Sequence, residues 1–343
     1  MATMQDVATR AGVSIATVSF VVNGTKNVSP STRDRVTSAM AELGFRNNVV
    51  ARALASRRTR IMALLFPSVE HRMGPTATSF FTSAAGRASD LGYHLVLWPS
   101  EANGEDVDDL ISGGLIDGVI VMEIKMEDHR INLLLERGVP FTAIGRTRHP
   151  EALSYVDIDF ETTIEDSLDY LQSLGHERVG LVTEDMEGSP MAGYAPHIRT
   201  ESTFLGSAER RGMHAIVVHC GESTAGGNAA AHDLIAADPE VTAVLIMKDD
   251  STFGLMRGLA EQGLNVPGDV SVMSIASSTA AGALHEPPLT TMDSPGRQLG
   301  RIAAESLVNQ LDGPAAEPLH LLLPCTLHVA GSTAVARPRP RRR

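Results

Sequence analysis

Residues 4–61 read MQDVATRAGVSIATVSFVVNGTKNVSPSTRDRVTSAMAELGFRNNVVARALASRRTRI. Thr3 followed by Asp6 has the spacing of a capping box and opens a helix through Ala11. Gly12-Val13-Ser14 reads as a tight turn, with Ser14 as the N-cap of a second helix, Ile15 to Val22, which Asn23-Gly24 ends. Two short helices joined by a glycine-containing turn are the helix-turn-helix plan. Ser29-Pro30 opens a third helix, because proline at the first helical position gives up no hydrogen bond. Val36, Met40 and Leu43 lay an apolar stripe over the other two helices, and Gly44 stops the third. A headpiece this small buries little surface and is only marginally stable by itself. The Ala-rich stretch Val49 to Ser56 is too short for a helix in water and is expected to order on DNA. Leu54 is then the candidate apolar wedge for a minor-groove base step.

The same stretch holds the positive charge. The 343-residue chain carries a formal −12, yet residues 1–60 hold nine basic and three acidic residues, a local +6 that leaves −18 for the remainder. Without the tail arginines Arg337, Arg339, Arg341, Arg342 and Arg343, residues 61–336 stand at −23. A basic head on an acidic body is the asymmetry expected of a DNA-binding unit on a soluble carrier. On charge alone, a solvated basic face is the alternative.

Length gives two to three domains, and 43% hydrophobic residues fill a core, which excludes global disorder. Two cysteines, Cys220 and Cys325, exclude a disulfide framework and a four-cysteine zinc site. No run approaches the roughly 20 apolar residues of a membrane span. Met1 to Phe20 has Asp6 and Arg10 within it and no apolar leader segment, so the expected location is the cytoplasm.

From Ile61 short apolar runs alternate with helical segments: Ile61–Phe66, Tyr93–Trp98, Gly118–Met122, Phe141–Ile144, Val179–Val182, Ile216–Val218, Ala243–Met247 and Val270–Ile275. The runs are continuous rather than alternating, as strands covered on both faces are, so the pattern predicts parallel sheets wound in βαβ units. A closed barrel is the alternative. Strand ends supply candidate ligand groups: Glu123 after the third run, Arg146 after the fourth, and Lys248, Asp249 and Asp250 after the seventh.

The headpiece motifs, DVA…AGVS…ATVS…V…N, then VS…TR…V, then LGF and VAR…L, resemble the lac repressor (LacI/GalR) family of bacterial transcription regulators. The segments SFFTSAAGRASDLGYHLVLW, GLIDGVIVM, VPFTAIGR and PPLTTMDSPGRQLGRIAAESLVNQLDG follow in that family's order. The resemblance implies an α/β chain: an all-α helix-turn-helix headpiece, 1–46, a hinge and linker, 47–60, and a periplasmic-binding-protein-like body, 61–330. That body has two Rossmann-like parallel-sheet subdomains, 61–159 plus 292–320 and 160–291, and a disordered basic tail follows, 331–343. It implies a cytoplasmic repressor, a homodimer on a palindromic double-stranded DNA operator, tuned by a small effector in the inter-subdomain cleft.

By resemblance Ile15, Ala16, Thr17, Ser19, Phe20 and Asn23 belong to the recognition helix, and Ser14, Ser29 and Thr32 donate to phosphates. Asn48, Ala51 and Leu54 fall in the hinge, with Leu54 as its lever. Apolar Ile15, Ala16 and Phe20 read thymine methyls rather than guanine acceptors, so no Arg-to-guanine contact is expected at Phe20. Phe80, Glu123, Arg146, Arg199, Lys248 and Asp249 are the effector candidates, Arg199 and Asp249 by their match to the family's ligand-binding Arg and Asp. The chain departs from the family twice: Lys248 stands beside Asp249 where Asn is usual, and Ala276 occupies a clamping Asp position. A lost carboxylate and a gained ammonium predict a more positive site, which favours a phosphorylated sugar or another anionic metabolite over a neutral sugar, a degenerate pocket that answers to no small molecule being the alternative.

The sequence shows no P-loop, no Gly-x-Ser-x-Gly elbow, no His-Glu-x-x-His and no strand-linked Gly-x-Gly-x-x-Gly. Its twelve histidines lack the spacing of a metal pair. No cofactor, no metal and no enzymatic activity are expected, an α/β binding protein or enzyme without a DNA role being the alternative.

Overall fold

A computed structural model describes residues 2–23, 26–45, 58–67, 74–100, 105–313 and 317–337. The chain divides into two units, Met1–Arg60 and Ile61–Arg343. In the first, α1 (Met4–Ala11), α2 (Ile15–Asn23) and α3 (Pro30–Glu42) enclose Val7, Ala8, Ala11, Val18, Val36 and Ala39. Each start is capped as the sequence predicts. The Thr3 backbone donates to Asp6 Oδ2 at 2.8 Å and the Thr3 hydroxyl accepts from Asp6 N at 3.3 Å. Ser14 Oγ accepts from Thr17 N at 3.1 Å, and Ser29 Oγ from Thr32 N at 3.3 Å. Gly12, at φ 64°, closes α1 in the left-handed conformation that glycine adopts without strain.

The stripe on α3 differs from expectation. Val36 is buried and Met40 half-buried, but Leu43 is 37% exposed. Leu43 caps α3 rather than lying within it, so it does not continue the helical stripe; Ala39 takes the inward place.

The body begins with β1 (Ile61–Pro67), α4 (Pro75–Asp90), β2 (His94–Ser100), α5 (Glu105–Ser112), β3 (Gly118–Val121) and α6 (His129–Arg137). It continues through β4 (Phe141–Ile144), β5 (Tyr155–Ile158), α7 (Phe160–Ser173), β6 (Arg178–Glu184) and α8 (Ala195–Arg210). Then come β7 (His214–Cys220), α9 (Thr224–Ala237), β8 (Ala243–Ile246), α10 (Asp249–Glu261), β9 (Ser271–Ser277) and α11 (Thr279–Gly282). The last elements are β10 (Thr290–Asp293), α12 (Gly296–Asp312), β11 (His320–Leu323) and β12 (Thr326–His328).

Two six-stranded open sheets result, in the orders β11-β5-β4-β3-β1-β2 and β12-β10-β9-β8-β6-β7. Every pairing is parallel except β12 against β10. The inner strands β3, β4, β5 and β8 are buried along their whole length, which is why their sequences are mostly apolar, with Thr142 in β4 and Asp157 in β5 as the polar exceptions. The chain passes between the sheets after β5, after β10 and after β11, so α12 packs on the first sheet while β12 completes the second. Residues 324–337 thus belong with the second sheet.

The tail expected to be disordered from residue 331 is ordered through Arg337. Ser332 is fully buried, its hydroxyl donating to Val272 O at 2.5 Å and accepting from Thr290 N at 2.8 Å. Ala336 N donates to Leu174 O at 2.9 Å, and Arg337 pairs with Asp269 at 3.2 Å. These bonds satisfy the backbone beside β9, which composition alone does not reveal. Residues 338–343 lie outside the described residues. No described helix is long and apolar enough to cross a membrane.

Candidate functional sites: a nucleic-acid interface and a ligand cavity

In the headpiece the caps fix where α2 starts, and the buried Val18 fixes which face turns inward. Ile15 is 45% exposed, and Ala16 is also exposed. Thr17, Ser19 and Phe20 are half-buried, and Asn23 is the last residue of α2. Ser14 and Ser29 sit exposed at the starts of α2 and α3, with Thr32 half-buried one turn on. Helix starts that present hydroxyls and backbone N–H groups suit phosphate oxygens. The surface therefore places exposed apolar groups beside hydroxyl-bearing helix starts. Asn48, Ala51 and Leu54 lie outside the described residues.

The body holds a cavity of about 290 Å³ at the carboxyl ends of the strands, between the two sheets. Phe80, Glu123, Lys248 and Asp249 line it. Arg146 and Arg199 do not. Arg146 pairs with Asp157 at 3.3 Å and Glu161 at 2.5 Å. Arg199 donates to the carbonyls of Thr147 at 2.8 Å and Arg146 at 3.4 Å, and stands 3.8 Å from Glu161. The Arg146 guanidinium thus braces Asp157, which does line the cavity, and Arg199 ties down the backbone of Arg146 and Thr147 beside it.

Lys248 does not make this cavity positive. Its ammonium lies 3.1 Å from Glu184 and 3.2 Å from Glu222. Burial pulls its pKa down, but Glu184, Glu222 and Glu123 outweigh that and hold it above the ordinary value. Glu123, Glu222, Asp249 and Asp250 give the wall an excess of carboxylate over its one lysine. Burial pushes Asp157 up to about 7, against the pull of Arg146 and Arg199. Burial likewise raises Glu184 to about 7 despite Lys248. The phenol of Tyr194 is driven well above its usual range by burial and by Glu123, Asp157 and Glu184. A positive shift was expected because the sequence shows Lys248 but not the distant carboxylates folded around it. Apolar Phe80, Met122, Ile144, Phe160 and Met247 complete the wall.

Two wall residues carry backbone strain. Glu123 and Ala276, at the ends of β3 and β9, both have φ 54°, a region non-glycine residues rarely occupy. Each is clamped through its carbonyl. Arg130 Nη2 donates to Glu123 O at 2.9 Å and to Met122 O at 3.0 Å, while its guanidinium is paired with the buried Asp128 at 2.8 Å. Thr76 Oγ1, from the other sheet's helix α4, donates to Ala276 O at 2.7 Å. Gly145, at φ 114°, sits so close to Ile124 that a Cβ would meet its side chain at 2.9 Å.

The loop after β3 also bonds to the start of α8 through main-chain atoms. Met126 N donates to Gly193 O at 2.8 Å, Ala195 N donates to Ile124 O at 3.0 Å, and Lys125 bridges Tyr194. Sequence reading missed Thr76, Arg130, Asp157, Tyr194 and Glu222. Asp157 left a trace, a carboxylate inside the otherwise apolar strand Tyr155–Ile158, where an unexplained buried charge calls for a partner. Among the described residues, no group of three or more His, Cys, Asp or Glu is placed to hold a metal ion.

Comparison with known proteins covers both units. The profile of the lacI family of bacterial regulatory proteins matches residues 3–48, and that of the periplasmic binding protein-like domain matches residues 168–333. The HTH-type transcriptional regulator CelR of Thermobifida fusca is 30% identical over 336 residues, covering 96% of this chain and 98% of that protein. Catabolite control protein A of Priestia megaterium is 27% identical over 338 residues, 96% and 99% of the two chains. A solved lac repressor dimer bound to operator and the anti-inducer ONPF aligns with TM-score 0.81 at 25% identity, over 97% of this chain and 99% of that one. A CelR–cellobiose complex aligns with TM-score 0.72 at 28% identity, over 97% and 100%.

Proposed function

Because this chain belongs to the lacI family of bacterial regulatory proteins, we propose that it acts as a homodimer, each headpiece on one half of a two-fold-related operator, with a small polyhydroxylated metabolite in the body cavity. At the coarser level it is a DNA-binding transcriptional regulator, as its curated relatives are, and not an enzyme. The observation that carries the DNA reading is α2: its inward residue is Val18, and its exposed Ile15 and Ala16 stand beside a capping serine. In this reading α2 enters the major groove, Ser14, Ser29 and Thr32 hold phosphates, and Asn48, Ala51 and Leu54 form the hinge, with Leu54 parting a minor-groove step. Such a dimer fits a solved relative that is a dimer on its operator.

For the effector, the carboxylate excess supports a neutral sugar over a phosphorylated one. Carboxylates accept hydrogen bonds from hydroxyls, whereas a phosphate entering beside Glu123, Asp249 and Asp250 meets like charge. A solved regulator with bound cellobiose supports the same class of ligand. Phe80, Glu123, Lys248 and Asp249 touch the ligand in this reading, and Arg146 positions Asp157 while Arg199 ties down the backbone beside it. The role is repression in the cytoplasm, with effector binding coupled to DNA affinity.

Gel shift on promoter fragments with added sugars tests both parts. A shift that responds to a neutral sugar and not to its phosphate is the expected result. A response confined to phosphorylated sugars overturns the effector reading, and the absence of a shift on any promoter fragment overturns the operator reading. Leu54→Ala is expected to weaken operator binding more than nonspecific binding; equal losses remove the wedge.

A further inference from the structure

The ammonium of Lys26 lies 5.0 Å from the centre of the Phe20 ring. That is within the distance at which the face of an aromatic ring holds a cation. Phe20 is four residues beyond the exposed Ala16, so the two share one face of α2. Lys26 is itself exposed, while Phe20 is half-buried, so the ring face under the ammonium is its solvent side. The positive charge therefore sits over the Phe20 ring, on the face of α2 that Phe20 shares with Ala16, although Lys26 lies three residues past the helix end.

We propose that Lys26, seated on the Phe20 ring, is the side chain through which the headpiece reads a guanine in each half-site. Guanine offers two acceptors, O6 and N7, to the major groove, and lysine is one of the two side chains that commonly bind them. Ile15, Ala16 and Phe20 have no side-chain donor, and α2 itself carries no cation, so among the described residues at this face Lys26 alone offers a positive donor to the guanine acceptors. The ring gives the lysine a fixed seat. A long, flexible ammonium left free beside a duplex finds phosphates from many positions and carries no sequence information. Held over a ring on the base-facing side, it arrives at one base pair. Phe20 thus acts in two ways, as an apolar contact and as a platform for the cation. The inference rests on α2 being the element that enters the major groove.

Selection of binding sites from random duplexes by the full-length protein tests it, run in parallel for the wild type, Lys26→Met, Phe20→Leu and Phe20→Tyr. Lys26 is exposed, so its replacement leaves the headpiece fold intact, which circular dichroism checks. The expected result is a guanine in each half-site selected about tenfold over other bases. Lys26→Met erases that preference and leaves the remaining positions of the site unchanged. Phe20→Leu, which removes the ring, flattens it, and Phe20→Tyr, which keeps the ring, restores it. Loss of affinity on all sequences alike in Lys26→Met, with the salt slope reduced by about one, makes Lys26 a phosphate contact and overturns the proposal. Retention of the guanine by Lys26→Met overturns it equally. In both cases a selected half-site leaves the reading of α2 standing. A wild type that selects no sequence at all defeats that reading and the proposal with it.

Discussion

The headpiece and the body hold their working surfaces in opposite ways. In the headpiece the scaffold is local: Thr3 bonds Asp6, Ser14 bonds Thr17 and Ser29 bonds Thr32, each three residues away, and six small or medium residues make the core. The functional side chains then point outward. In the body the scaffold is long-range, and the groups in and beside the cavity are buried ionisable side chains: Asp157 is 5% exposed and Glu184 is 4% exposed. Lys248 meets Glu222, 26 residues away along the chain, and Arg146 meets Asp157 from the neighbouring strand. A surface that contacts DNA is specified by its own turn of helix; a cavity is specified by whatever the fold brings opposite.

The bluntest way to break that contrast is to remove one side of it. A chain lacking residues 1–60 is expected to lose operator binding entirely in a gel shift while still binding its ligand by calorimetry. Residual sequence-specific binding by the body means that the separation of tasks is wrong.

Next in size is the pair Arg130–Asp128, whose side chains are 4% and 2% exposed. Replacing one partner of a buried pair leaves the other uncompensated, at about 3–5 kcal/mol. Arg130→Met should therefore lower the thermal midpoint of the body sharply and free the Glu123 peptide, whereas protection of headpiece amides from exchange stays as it was. A change below about 1 kcal/mol shows that the clamp on Glu123 does not matter to the fold.

The titration of Asp157 sharpens the comparison further. Its carboxyl rises from an ordinary 3.8 to about 7 on burial. A folded value above the unfolded one means the native state holds the proton. The stabilisation is complete below pH ~4 and fades as pH climbs through 7. Between pH 5.5 and 8 this one group removes roughly 2 kcal/mol from the body. Chemical denaturation across that range should show the fall, and Asp157→Asn should flatten it. An unchanged slope in that variant assigns the effect elsewhere.

The smallest expected effect is in the headpiece. Thr3→Ala removes the cap of α1 and should cost about 1 kcal/mol, read as faster amide exchange in α1 with no change in the body's melting. Coupled loss in both units means that they do not unfold independently.

The sequence was most legible where contacts are near in the chain. The three headpiece caps and the eight apolar strand runs could be located because Ser29-Pro30, Gly12 and runs such as Val270–Ile275 carry their own signals. The strands β5, β10, β11 and β12 escaped notice, since an Asp or a His in each (Asp157, Asp293, His320, His328) breaks the apolar run by which equally short strands such as Phe141–Ile144 were found. In the cavity, Phe80, Glu123, Lys248 and Asp249 were reachable from strand ends or from resemblance, but the sign of the charge was not. It depends on Glu184 and Glu222 closing on Lys248, a relation between strands that no local pattern records. Arg199 shows the same limit: its residue type suits a ligand, yet its hydrogen bonds go to the carbonyls of Arg146 and Thr147.

The rungs between the loop after β3 and the start of α8 are peptide groups, Met126 to Gly193 and Ala195 to Ile124. Peptide groups are common to all residues, so this seam is indifferent to most substitutions along it. A descendant of this protein can exchange the residues that greet a ligand, one at a time, without first relearning how to keep its two lobes together. Chemical taste is thereby free to drift while the closure itself is inherited unchanged.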